Sequence, residues 1–136
     1  MTLLLLDTNI IVDVLRRRNE RHLLVENLLE QGQPLASCAI TVTEVYAGMR
    51  PPEEKPTRAF MKSLVFLSAT EEIAERAGDL KARYSKRGRS LSLQDVMIAS
   101  VCIAYSCTLV TENVKDFPMP ELQLYSLAGG SGGRVR

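Results

Sequence analysis

The chain begins MTLLLLDTN, and the run of four leucines closed by Asp7 is the feature that most narrows what it can fold into. The run reads as a short buried strand over 3–6, whereas Asp is disfavoured in strands and seldom buried without a partner. Asp7 is therefore either a plain turn residue or a carboxylate delivered to a particular place. TNIIVDVLRRR then sets Ile10, Ile11, Val14 and Leu15 at helical spacing, and its basic end, Arg16 to Arg18, suits the negative pole of a helix.

The same alternation continues along the chain. A helix is expected over 21–31, with Leu24, Val25, Leu28 and Leu29 as its apolar stripe and Gly32 as its stop. PLASCAI is a strand, followed by a helix over 42–49. RPPEEKP breaks the chain before a helix near 57–65, and VFLSA is a short strand. TEEIAERAGDLKARYSKRG is a long amphipathic helix ending at Gly88, and 93–105 is a nearly apolar helix that belongs in the centre of a fold. CTLVT and LQLYSL close the chain as strands. Strands alternating with helices predict an α/β protein, a three-layer α/β/α sandwich around a parallel sheet. At 136 residues one domain is expected, over 1–127, with 128–136 as a flexible Gly-rich tail.

Charge and cysteine usage exclude several classes. Seventeen basic and sixteen acidic side chains leave a net charge of +1, so a nucleic-acid partner must be met by local patches. Cys38, Cys102 and Cys107 form no C-x-x-C pair, and with one histidine a conventional zinc site is not expected. Free thiols fit a reducing, cytoplasmic setting. The longest nearly uncharged run, 96–105, is well short of the ~20 residues of a membrane span.

A parallel α/β sheet binds its ligands outside the carboxyl ends of its strands, which is where Asp7 falls. Other acids fall nearby. Glu44 lies in TVTEVYAG after the second strand, Asp95 in LSLQDVMIAS at the head of the central helix, and Asp116 in ENVKDF after CTLVT. Each has a modest reading of its own, since Thr41-x-x-Glu44 and Ser92-x-x-Asp95 fit capping boxes and Asp116 can begin a turn. Four acids at one edge, with no histidine and no P-loop beside them, suit a divalent metal centre. Clustered carboxylates repel unless a cation neutralises them, and Mg2+ and Mn2+ favour oxygen ligands. The lone His22 is a bystander on this reading.

The ordered set LLLLDTN, TVTEVYAGMR, LSLQDVMIAS and LVTENVKDF resembles the PIN-domain ribonucleases, and most closely the VapC-type toxins of toxin–antitoxin pairs. The resemblance implies an acidic pocket holding Mg2+ or Mn2+, in which Asp7, Glu44, Asp95 and Asp116 are both metal ligands and catalytic residues. It implies growth arrest by cleavage of cellular RNA, a homodimer, and a VapB-type antitoxin as partner. Thr111 and Asn113, with Asn9, are candidates for positioning substrate or water, while Glu112 stands where family members often carry arginine.

An acidic pocket needs neighbouring cations to hold RNA. Arg16, Arg17, Arg50, Lys86 and Arg87 are the leading candidates, with Arg18, Arg21, Lys81, Arg83 and Arg89 beside them. Tyr46, Met49, Phe60 and Met61 are candidates for an antitoxin groove or for plain core packing. The alternative function is a catalytically silent PIN-fold RNA-binding or scaffold protein. An aspartyl phosphatase is disfavoured, because Asn9 stands where that chemistry wants a second acid.

Overall fold

The computed structural model of the protein describes residues 2–127, so the expected tail over 128–136 lies outside the described residues. The chain opens with strand β1, Leu4–Leu6, and passes at once into helix α1, Thr8–Leu15. The expected basic last turn does not form. Arg17, Asn19 and Glu20 take left-handed φ values of 54°, 54° and 57°, and the chain reverses into helix α2, Arg21–Glu30. Such values are costly for Arg and Glu, whereas Asn tolerates them. Asn19 also binds the buried Asp13 carboxylate at 2.9 Å, which pins this reversal from inside.

Val25 and Leu28 form the buried edge of α2, but Leu29 is 51% exposed, against expectation. It lies about 100° around the helix from Leu28, beyond the edge that meets α1. Gly32 ends the segment with φ 75°, a left-handed position that glycine fills without strain.

Strand β2, Leu35–Cys38, runs directly into helix α3, Ala39–Ala47, three residues earlier than expected. The reason is Thr41. Its hydroxyl accepts from the Cys38 N–H and donates to the Cys38 carbonyl, both at 3.0 Å, so it serves the first turn from inside. The Thr41–Glu44 capping box is therefore not formed, and Glu44 sits in the second turn. A 3-10 turn over Pro51–Glu53 leads into helix α4, Glu54–Ser63, because the two prolines favour a helix start.

Strand β3, Val65–Leu67, precedes helix α5, Glu71–Ser85, which is capped by the Thr70 hydroxyl accepting from the Ile73 N–H at 3.2 Å. Helix α6, Leu93–Ala104, and strands β4, Thr108–Val110, and β5, Gln123–Leu124, complete the chain.

All pairings are parallel, in the order β3-β2-β1-β4-β5. Both faces are covered, which explains the uninterrupted leucines. Leu5, Ala36, Cys38, Leu67, Leu109 and Leu124 point into one core, shared with α5 and α6. Leu4, Leu6, Leu35 and Val110 point into the other, shared with α1, α2 and α4. This is the expected three-layer α/β/α sandwich. The three cysteines are buried and free, and among the described residues no helix is long and apolar enough to cross a membrane.

Candidate active site

The strand order reverses at β1, which has β2 on one side and β4 on the other. Ligands of open α/β sheets bind in the crevice that this reversal opens beyond the strand ends. The register pairs Leu6 with Val110, so Asp7 and Thr111 are the next residues on either side of the crevice. The Asp7 N–H extends the ladder by donating to the Val110 carbonyl at 2.9 Å.

Both readings of Asp7 hold together. It is the N-cap of α1, with Oδ1 accepting from the Thr8 N–H at 2.8 Å. Its Oδ2 accepts from the Thr111 hydroxyl at 2.7 Å, and the carboxylate is buried, at 6% exposure. The Asn113 N–H in turn donates to the Thr111 hydroxyl oxygen at 3.0 Å, which fixes the hydroxyl hydrogen toward Asp7. Glu44 reaches the same edge from α3, where the Thr8 hydroxyl donates to its Oε1 at 2.6 Å.

Asp95 stands in the first turn of α6, whose N-cap Ser92 accepts from the Asp95 N–H at 3.0 Å. Asp116 closes a 3-10 turn over Val114–Asp116, held by its N–H donating to the Asn113 carbonyl at 2.9 Å. Asn9 is exposed in α1, and the polar contact to Glu44 is made by its neighbour Thr8. Thr8 is thus a site residue absent from the sequence candidates. The only sign of it is its place between Asp7 and the first apolar residues of α1.

The four acids share one electrostatic field. Burial pushes the Asp7 carboxyl above its ordinary pKa, hydrogen bonds from Thr111 and Thr8 oppose this, and the charges of Glu44 and Asp116 push it further up. Burial also raises Asp95, its hydrogen bond with Ser92 pulls the other way, and Asp116, Asp7 and Glu44 raise it again. Like charges that raise Asp7 and Asp95 in this way would be relieved by a bound cation. Among the described residues no group of three or more acids, histidines and cysteines is arranged to hold a metal ion by itself. The donor chemistry nevertheless fits Mg2+ or Mn2+, since Mg2+ takes one or two carboxylates and keeps its remaining positions for water and phosphate.

The candidate cations divide. Arg16 is committed to Glu53, with Nε–Oε2 at 2.9 Å and Nη2–Oε1 at 3.3 Å, and its Nη2 also donates to the Gly48 carbonyl. That double contact ties α1 to the Pro51–Glu53 turn, so Arg16 is a structural residue. Arg83 is likewise paired to Glu121, with contacts at 2.9 and 3.0 Å. Arg17, Arg50, Lys86 and Arg87 are exposed. Arg89 donates to the Lys115 carbonyl and so ties the loop of Lys86 and Arg87 to the turn carrying Asp116. Glu112 is met by Arg21 at 2.8 Å. Of the four groove candidates, Met61 is core and the other three are partly exposed.

Comparison with known proteins agrees with this architecture. The PIN domain family matches residues 4–118. Ribonuclease VapC19 of Mycobacterium tuberculosis is 36% identical over 120 residues, which cover 88% of this chain and 96% of the relative. Ribonuclease VapC2 of Rickettsia felis is 30% identical over 119 residues, covering 83% and 88%. Among solved structures, VapBC2 of Rickettsia felis bound to a DNA fragment from its promoter gives a TM-score of 0.78 at 25% identity, covering 90% of this chain and 96% of that one. A toxin–antitoxin complex of Klebsiella pneumoniae gives 0.70 at 30% identity, covering 87% and 93%. The chain belongs to the PIN-domain family and, within it, to the VapC ribonucleases.

Proposed function

We propose that the protein is a Mg2+- or Mn2+-dependent endoribonuclease, the toxin of a toxin–antitoxin pair that arrests growth by cutting cellular RNA. The observation that carries the reading is the convergence of four acids at one sheet edge, with Asp7 buried between the Thr111 hydroxyl and the Thr8 N–H. Repulsion of this kind is costly to maintain without a task, which argues against a silent scaffold.

Asp7, Glu44, Asp95 and Asp116 are the residues that would hold the ion, one or two of them directly and the others through its waters. A divalent ion bound there supplies a water of lowered pKa and stabilises the departing oxygen of an in-line displacement. Everything else falls to the chain. The Thr111 hydroxyl holds Asp7 Oδ2 in one orientation and favours its ionised form. The Thr8 hydroxyl orients Glu44 while the Thr8 N–H fixes the other oxygen of Asp7, so one residue couples two acids. Asn113 holds Thr111. Lys86 and Arg87, on the loop tied to the Asp116 turn, would hold substrate phosphates, as would the exposed Arg17 and Arg50. A VapB-type antitoxin and a second copy of the chain are the protein partners on this reading, as the likeness to toxin–antitoxin complexes supports.

The test is incubation of purified protein with total cellular RNA in Mg2+ or Mn2+, with EDTA and Asp7→Asn alongside. Fragments bearing 5′-phosphate that vanish in both controls are the expected result. Cleavage that survives both controls, or that leaves cyclic phosphate ends, would overturn it.

A further inference from the structure

Glu112 and Arg21 form a contact that the proposed chemistry does not use. Glu112 follows Thr111 directly, so it stands one residue from a side chain that holds Asp7. Arg21 comes from the first residue of α2, and its Nη2 reaches Glu112 Oε1 at 2.8 Å. The two side chains are 19% and 34% exposed, so the pair is partly desolvated. The Arg21 Nε is buried and has no hydrogen-bond partner among the described residues. A guanidinium presents five donors in a fixed fork, so with Nη2 on Glu112 and Nη1 donating to the Asn19 carbonyl at 3.4 Å, one N–H of each terminal nitrogen is still left for a phosphate.

The surroundings of Arg21 are also built. The three left-handed residues before it, with Asn19 bound to Asp13, set the direction in which α2 begins. Behind Arg21, between α2 and the segment after β5, lies a cleft of about 450 Å3. This is within the roughly 300–1,000 Å3 of ordinary ligand sites. Leu24 and Leu28 form its floor, Asn27 and Gln31 its exposed rim, and Tyr125 its far wall. An apolar floor and an aromatic ring suit the face of a base, and two amides suit its hydrogen-bonding edge. Arg21 lines the same cleft, with the exposed Glu20 beside it, so the lining offers a cation for a phosphate next to apolar and amide groups for a base.

We propose that this cleft is a substrate subsite, in which Arg21, held by Glu112, takes a backbone phosphate and the cleft behind it takes an unpaired base adjacent to the scissile bond. The proposal rests on the ribonuclease reading. Glu112 and the Asn19 carbonyl then fix the direction of Arg21 and leave the second N–H of Nη1 and of Nη2 for RNA, so the carboxylate at this position orients a cation instead of repelling the strand.

The experiment compares wild type, Arg21→Ala, Arg21→Lys and the double variant Asn27→Ala/Gln31→Ala. Cleavage kinetics are measured in Mg2+ over a range of salt, and binding of a short labelled single-stranded RNA of mixed sequence is measured with Ca2+ in place of Mg2+. Arg21→Ala is expected to raise KM and weaken binding roughly five- to tenfold, with kcat little changed and the salt slope reduced by about one. Arg21→Lys should restore the salt slope. The exposed amides can be removed without touching the core, and their loss should alter the nucleotide preferred beside the cut while leaving the salt slope unchanged. If wild type cleaves but KM, binding and base preference are the same in all variants, the subsite is overturned while the ribonuclease reading stands. If only capture of the antitoxin changes, the cleft is a protein contact and the subsite is again overturned. Failure of wild type to cut or bind any RNA would overturn both.

Discussion

The Thr111 hydroxyl donates to Asp7 Oδ2 at 2.7 Å, joining the ends of the two central strands across 104 residues of chain. The bond stabilises the charged form of a carboxylate whose burial favours the neutral one. Removing it with Thr111→Val should therefore raise the pKa of Asp7 further. The rising limb of the pH–rate profile is expected to move to higher pH, with a stability loss of about 1–3 kcal/mol. Thr111→Ser should restore both. A Val variant with an unmoved profile would show that the limb belongs to another group.

Asp7→Asn should abolish cleavage and stabilise the protein. Asn caps a helix as well as Asp, and its amide can still meet Thr8 and Thr111. The sign follows from the raised pKa. The stability that neutral Asp7 contributes is fully present below the ordinary value of 3.8 and is lost as pH rises through the higher folded value. In EDTA at neutral pH the variant should melt a few degrees above wild type, and the difference should shrink toward pH 4. Divalent ion should raise the melting point of wild type and leave that of the variant nearly unmoved.

Thr8 is expected to matter through Glu44. Thr8→Val keeps the backbone bond to Asp7 but removes the 2.6 Å hydroxyl donor, so kcat should fall roughly tenfold with little change in melting temperature. Thr8→Ser should recover most of the loss. An equal loss in both variants would place the effect in packing.

Arg16 and Glu53 provide a contrast, because theirs is a structural pair. The Arg16 guanidinium, with the Arg50 N–H, holds the Glu53 carboxyl down at about 2. Stability from this source is present above the ordinary 4.5 and is lost as pH falls toward 2. Glu53→Gln should flatten that part of the acid-denaturation curve. Arg16→Ala should leave RNA binding unchanged, whereas Arg17→Ala, at an exposed side chain, should weaken it.

The Ser92 cap ties stability to Asp95. Ser92→Ala should cost about 1 kcal/mol as a lost N-cap. It should also raise the pKa of Asp95, because its hydrogen bond with Ser92 is what lowers that value. Ser92→Thr is expected to preserve both, and NMR titration of the Asp95 carboxyl would decide.

The sequence alone determined the layer plan and the identity of the acids. LLLLDTN could only be a strand buried on both sides with an acid at its end, and the alternation of such strands with amphipathic helices implies a parallel sheet. Helix boundaries were less legible where a side chain served the backbone from an unexpected position. Thr41 supports its helix from inside the first turn, and the left-handed residues 17, 19 and 20 end α1 ahead of its arginines. Which charges are committed depends on contacts that form only when the elements pack. Arg16 to Glu53, Arg21 to Glu112 and Arg83 to Glu121 are contacts between distant segments, and each depends on how helices lie across the sheet. Local pattern records the propensity of a segment, whereas pairing of side chains 37 to 91 residues apart is set by strand order and register, which no local pattern contains.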